Sequence, residues 1–190
     1  GMLATFLLYG FMGRSHSSLR LILAGIALNS LFGTMISLSL SLSKDPYAMM
    51  HVLFWLFGSY ADVPFSQILF FLPFLIAGVW LLWTLGPLLD ALSFGEDMAK
   101  IMGFSLKRAS IKLIIGIGLT TGISVALCGV VGFIGLVTPH IIRGFLGSQP
   151  SRLLFPSFMG GAILSLLADI FVRLIPASVE LKVGVMTSLI

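Results

Sequence analysis

Charge is scarce in this chain. Asp, Glu, Lys and Arg make up 9% of its 190 residues, against about a quarter in soluble domains. Hydrophobic residues fill 58%, more apolar surface than a soluble domain of this length can hide. The excess must face lipid or other membrane spans. Cysteine is scarcer still. Cys128 stands alone in an apolar run, so it forms no internal disulfide and its role is packing. The alternation of about ten residues that marks barrel strands is missing. The apolar runs are continuous and about twice that length, which selects helices. Residues 1–13 are apolar but lack the basic start of a cleavable signal.

Other absences narrow the function. No G-x-x-x-x-G-K-[ST] phosphate loop occurs, so any nucleotide energy must come from another chain. No HExxH, no pair of carboxylates on one span and no serine-nucleophile motif occurs, which speaks against a membrane-embedded enzyme. His16, His51 and His140 lie too far apart to form a metal site. The central parts of the spans carry no carboxylate. An ion-coupled secondary transporter would place one there, and that class or a channel subunit is the alternative reading.

The apolar runs that remain define an all-α, polytopic transmembrane bundle. Residues 1–13 read as the end of a span, followed by the basic loop 14–20. A span covers 21–42 and ends at Lys44-Asp45-Pro46. Residues 49–60, with Phe54, Trp55, Phe57 and Tyr60, are too short to cross and suit an outer interfacial helix. A second full span covers 68–89. The uncharged run 113–142 is divided by Gly129, Gly132 and Gly135 into a span at 113–129 and a short span at 132–146. A further span covers 153–175, and 183–190 begins the last one. Neither end supplies the roughly 20 residues of a full span, so the chain reads as truncated at both ends.

The conspicuous feature is a charged island at 90–112, DALSFGEDMAKIMGFSLKRASIK. It holds seven of the eighteen charged residues: Asp90, Glu96, Asp97, Lys100, Lys107, Arg108 and Lys112. With the island inside, eight of the eleven cations are cytoplasmic (Arg14, Arg20, Lys100, Lys107, Arg108, Lys112, Arg143, Arg152), as the positive-inside rule requires. The net charge of +4 follows from these short loops and gives no sign of a nucleic-acid partner. Within the island, Gly95 turns the chain. Glu96 and Asp97 suit a helix start, Glu96 and Lys100 are spaced for an i,i+4 pair, and Gly103 ends the helix. Gly118–Gly122 forms a GxxxG, the spacing that lets membrane helices approach closely.

Three segments together resemble one family. GFIGLVTPHIIR at 132–143, with Gly132, Gly135, Pro139, His140 and Arg143, is similar to the signature of the iron-chelate, haem and cobalamin permease subunits of bacterial ATP-binding-cassette importers, the FecCD type. Gly95-Glu96, Ala99 and Gly103 resemble that family's cytoplasmic coupling loop. LADIFVR at 167–173, containing Asp169 and Arg173, then Glu180-Leu181 and Gly184-Val185, resembles its late motif. The loop after Arg143 departs from the pattern, with Pro150, Ser151 and Arg152 where Asp-His-Arg is usual. Thr138 stands where an aliphatic residue is common.

The resemblance implies a cobalamin-permease-like bundle in the bacterial inner membrane that works as a dimer with a second permease subunit, expected to be identical. It implies a cytoplasmic ATPase, holding ATP and magnesium, against Gly95, Glu96, Asp97, Ala99, Lys100 and Gly103. This chain itself would bind no cofactor. An extracytoplasmic substrate-binding protein would dock at Arg173. Ser17, Ser18 and Leu19 would form a cytoplasmic gate, Ser17 or Ser18 also suiting a helix cap. Pro139 is expected to break its helix, and His140 to be a buried, hydrogen-bonded residue at the inner face. Asp169 and Arg173 are spaced to pair. Asn29 and Thr34 are polar at membrane depth and candidates for facing a pore.

Overall fold

The computed structural model describes residues 18–45 and 63–174, together with positions 7, 10, 47, 49, 50, 52, 56 and 58–60. Most of the element expected at 1–13, all of that at 183–190, Ser17, and the Glu180-Leu181 and Gly184-Val185 motif lie outside the described residues. Most of the interfacial helix expected at 49–60 does too.

Seven helices lie wholly within the described residues, in order: α1 Ser18–Leu42, α2 Phe65–Trp83, α3 Gly86–Leu92, α4 Glu96–Ile101, α5 Leu106–Cys128, α6 Ile134–Leu146 and α7 Pro150–Leu174. The described residues contain no strand. Among the described residues four segments are long and apolar enough to cross a membrane: Leu23–Leu42, Phe65–Leu92, Leu106–Cys128 and Pro150–Leu174. Their outward surfaces are apolar and exposed, with Leu38, Phe70, Trp80 and Leu166 among them. In lipid the hydroxyls on these helices need partners. Thr34, Ser39, Ser110, Thr120 and Ser165 each donate to the carbonyl four residues back.

Two helix crossings organise the bundle. Where α2 meets α5, a Cβ on Gly78 would stand 2.9 Å from Thr120 Cγ2, and one on Gly116 2.7 Å from Leu82 Cδ2. Each glycine's carbonyl oxygen lies 3.3 Å from the other's Cβ position. The close approach of α2 and α5 is made by Gly78 and Gly116, and Gly118, of the GxxxG at 118–122, is buried as well. Where α6 meets α7, a Cβ on Gly160 would stand 2.8 Å from both Thr138 Cγ2 and Ile142 Cδ1. Thr138 is buried there.

Helix ends differ from the charge boundaries. The span expected at 68–89 is α2 plus α3. Pro87 has no N–H to give the carbonyl four residues back, at Trp83, and its ring crowds it; α2 ends at Trp83 and α3 starts at Gly86 with this proline in its first turn. The loop expected at 90–112 contains the end of α3, all of α4 and the first turns of α5, so Lys107, Arg108 and Lys112 are helical. Charge marks where a helix leaves lipid, whereas the helix itself continues into water. Pro139 lies inside α6 and does not break it. Pro73 and Pro156 are likewise internal, because membrane helices tolerate proline where neighbours and local adjustment compensate. Between α5 and α6 the chain turns at Gly129 (φ 73°) and Phe133 (φ 66°). At 13 residues α6 covers about 20 Å, less than the hydrocarbon core.

Candidate functional site

One end of the bundle gathers α3, α4, the start of α5 and the 147–149 loop leading into α7. α4 is six residues long and held between two left-handed glycines, Gly95 (φ 101°, ψ 160°) and Gly103 (φ 87°). Gly95 adopts a backbone region open to little else. Glu96 and Asp97 lie in the first turn and Lys100 in the last, as the helix dipole favours. The expected Glu96–Lys100 pair does not form. Lys100 Nζ instead donates to Asp97 Oδ1 at 2.9 Å. Positions three and four apart are both neighbours on a helix, and in this single turn the nearer carboxylate wins. Asp97 raises the Lys100 ammonium above its ordinary pKa, first through this hydrogen bond and then through its charge.

Ala99 is fully buried and anchors the inner face of α4, which packs on α3, where Leu88 and Ala91 are buried. Met98 and Ile101 on α4, with Phe94 just before it and Met102 just after it, stand in the open, Phe94 and Ile101 at 76% and 80% exposure. The sequence reading concentrated on the charges and passed over this apolar ridge. Its signal was present: four large apolar residues inside the only charged island.

The reading also passed over Asp90. Its Oδ1 accepts the backbone N–H of Ser151 at 2.8 Å. Its Oδ2 accepts Ser151 Oγ at 2.6 Å and Gln149 Nε2 at 2.8 Å. A Cβ on Gly86, one turn earlier on α3, would sit 3.4 Å from Ser151 Cβ. α3 therefore rests directly on the first turn of α7.

At the far end of α7, Arg173 Nε donates to Asp169 Oδ2 at 2.9 Å. Arg173 has no further partner among the described residues, and its side chain is 65% exposed against 22% for Asp169. The pair orients the guanidinium through Nε, and no described residue takes its outer nitrogens.

The remaining candidates separate. His140 is exposed, without a hydrogen bond among the described residues, and not buried as expected; the buried residue nearby is Thr138. The reason is helical phase, two residues being about 200° around an α-helix. Arg143 is exposed in the last turn of α6, and its carbonyl accepts Gly147 N–H at 3.1 Å. Gly132 precedes α6 and Gly135 lies in its first turn, both facing open space. Ser18 and Leu19 open α1. Asn29 and Thr34 are exposed on α1. A cavity of about 590 Å³ touches Tyr60, Ile68, Thr120, Ser124, Cys128 and Ser165. Its Thr120 and Ser165 hydroxyls are spent on their own helices, so it offers few convergent polar groups for recognition. Among the described residues no three of His, Cys, Asp and Glu gather to hold a metal.

Comparison with known proteins adds relatives along the whole chain. The model of the FecCD transport family matches residues 1–190. An uncharacterized ABC transporter permease of Bacillus subtilis, YvrB, is 39% identical over 175 residues, 92% of this chain and 49% of its own length. The vitamin B12 import permease BtuC of Vibrio cholerae is 42% identical over 170 residues, 89% and 50% of the two chains. BtuC of Citrobacter koseri is 34% identical over 188 residues, 98% and 56%. The chain thus spans about half the length of the curated relatives it matches. A solved metal-chelate type ABC transporter in an inward-facing conformation superposes with a TM-score of 0.86 at 30% identity, covering all of this chain and 59% of that one.

Proposed function

This chain belongs to the FecCD transport family, and we propose that it forms part of the translocation subunit of an ATP-binding-cassette importer for a metal chelate. The chelate class is iron-siderophore, haem or cobalamin. The chain is a multi-pass membrane protein, which we assign to the bacterial inner membrane. It is not itself an enzyme; ATP and magnesium belong to a partner ATPase.

The observation that carries this reading is α4. It is a rigid, glycine-bounded turn of helix outside the spans, anchored by Ala99 and presenting an apolar ridge rimmed by Glu96, Asp97 and Lys100. Exposed apolar groups of this kind mark a protein contact. A short helix of this shape fits a cleft in a soluble partner and passes the partner's movement to α3 and α5. Arg173, held by Asp169 through Nε and exposed, suits a carboxylate on an extracytoplasmic binding protein. A second, identical permease subunit completes the pore.

The test uses the full-length permease, its neighbouring ATPase and the binding protein in proteoliposomes. Uptake of a labelled chelate that needs ATP, and that Glu96→Lys abolishes while the permease still inserts, is the expected result. Uptake driven by an ion gradient without ATPase would replace this reading with the secondary-transporter one.

A further inference from the structure

Asp90 lies outside the segment read as the ATPase contact, and none of the roles above uses it. It is nevertheless the best-connected carboxylate among the described residues. Three donors converge on it, from residues 59 and 61 positions later in the chain. Pro150 has no N–H, so Ser151 offers the first backbone donor of α7, and Asp90 takes it. A carboxylate at this place also faces the positive end of a 25-residue helix dipole. The cap of α7 is therefore supplied from another helix and not by its own preceding residues.

The consequence is mechanical. α3 packs on α4 on one side and on α7 on the other. Gly86 brings the α3 backbone against Ser151, and Asp90, one turn later on α3, locks the contact. From that point α7 rises about 30 Å to the Asp169–Arg173 pair. Resting on the importer reading above, we infer that Asp90 is the positioning residue that joins the cytoplasmic helix α4 to α7. α7 is then the rod between ATPase and binding-protein docking ends. Movement of α4 reaches α7 through this clamp, and a load at Arg173 returns along the same rod.

The experiment compares wild type, Asp90→Ala and Asp90→Asn in the full-length permease, assembled with its ATPase and reconstituted with its binding protein. The readout is the ratio of ATP hydrolysis with and without loaded binding protein. Asp90→Ala is expected to lower that stimulation at least fivefold, while ATPase co-purification stays at the wild-type level. Asp90→Asn, which keeps an acceptor for the Ser151 N–H, is expected to stay within about twofold of wild type. Gln149→Ala with Ser151→Ala leaves the backbone bond in place and should give an intermediate ratio. Added to Asp90→Ala it should cost nothing more, because the three residues act as one unit. Wild-type stimulation in Asp90→Ala overturns the inference, as does loss of ATPase association. If Asp90→Ala fails to insert, a wild-type ratio in the Gln149/Ser151 double variant overturns it equally. A wild-type permease that does not associate with the ATPase at all overturns the importer reading itself, and the clamp's role with it.

Discussion

Ser151 gives its backbone N–H to Asp90 at 2.8 Å across 61 residues of sequence. This bond joins the start of a membrane helix to a short helix at the edge of the soluble loop. It shows that the charged island is not a separate module. Its first residue belongs to the packing of the bundle, and its middle residues face outward.

The outward residues carry the first prediction. Gly103 holds φ at 87°, where an L-residue costs about 1 kcal/mol and proline does not fit. Gly103→Pro and Glu96→Lys should each reduce uptake by at least tenfold with membrane insertion unchanged, measured by membrane fractionation beside chelate uptake. Normal uptake with both would remove α4 from the mechanism.

A second prediction concerns Arg173. Arg173→Glu should weaken binding-protein docking by at least tenfold. Its remaining affinity should vary less with salt than wild type does, since a rim charge contributes through screened attraction. Titration of labelled binding protein at two ionic strengths measures both. Unchanged docking removes the assignment, leaving Arg173 only as the partner of Asp169.

Orientation is checked at Ser93, exposed between α3 and α4. In a permease with Cys128 replaced, Ser93→Cys should resist an impermeant thiol reagent in intact cells and react in inverted vesicles. Strong labelling in intact cells reverses the topology.

The α2–α5 crossing gives a stability prediction. A Cβ at Gly78 or Gly116 meets side-chain atoms at 2.9 or 2.7 Å, so Gly78→Ala or Gly116→Ala forces the helices apart. The expected cost is about 1–3 kcal/mol, as for overpacking elsewhere. Thermal unfolding in detergent should register it as a lower midpoint. Ala at Gly135, where a Cβ meets nothing within 4 Å, should leave the midpoint unchanged.

Much of this was legible from residues alone. The long uncharged runs mark α1, α2, α5 and α7, because lipid admits only apolar surface over about 20 residues. Gly95 and Gly103 bracket α4 because a sharp reversal on each side of one helical turn needs left-handed backbone. The Asp169–Arg173 pair follows from i,i+4 spacing. Other features were not legible. The pairing of Lys100 with Asp97 and not Glu96 depends on side-chain reach within a single turn. The crossing glycines Gly78 and Gly116 could not be chosen from composition, since they share no motif and lie 38 residues apart in sequence. Thr138 and His140 differ only in the side of α6 they occupy, and the neighbour α7 decides which one is buried.

By itself, then, the sequence determined the class of molecule, the apolar spans and the charged island between two of them. Those follow from the cost of placing charge in lipid, which each residue carries locally. Only the tertiary structure decided that Asp90 belongs to α7 as much as to α3. A hydrogen bond between residues so far apart in sequence depends on the packing of whole helices, and no local pattern records it.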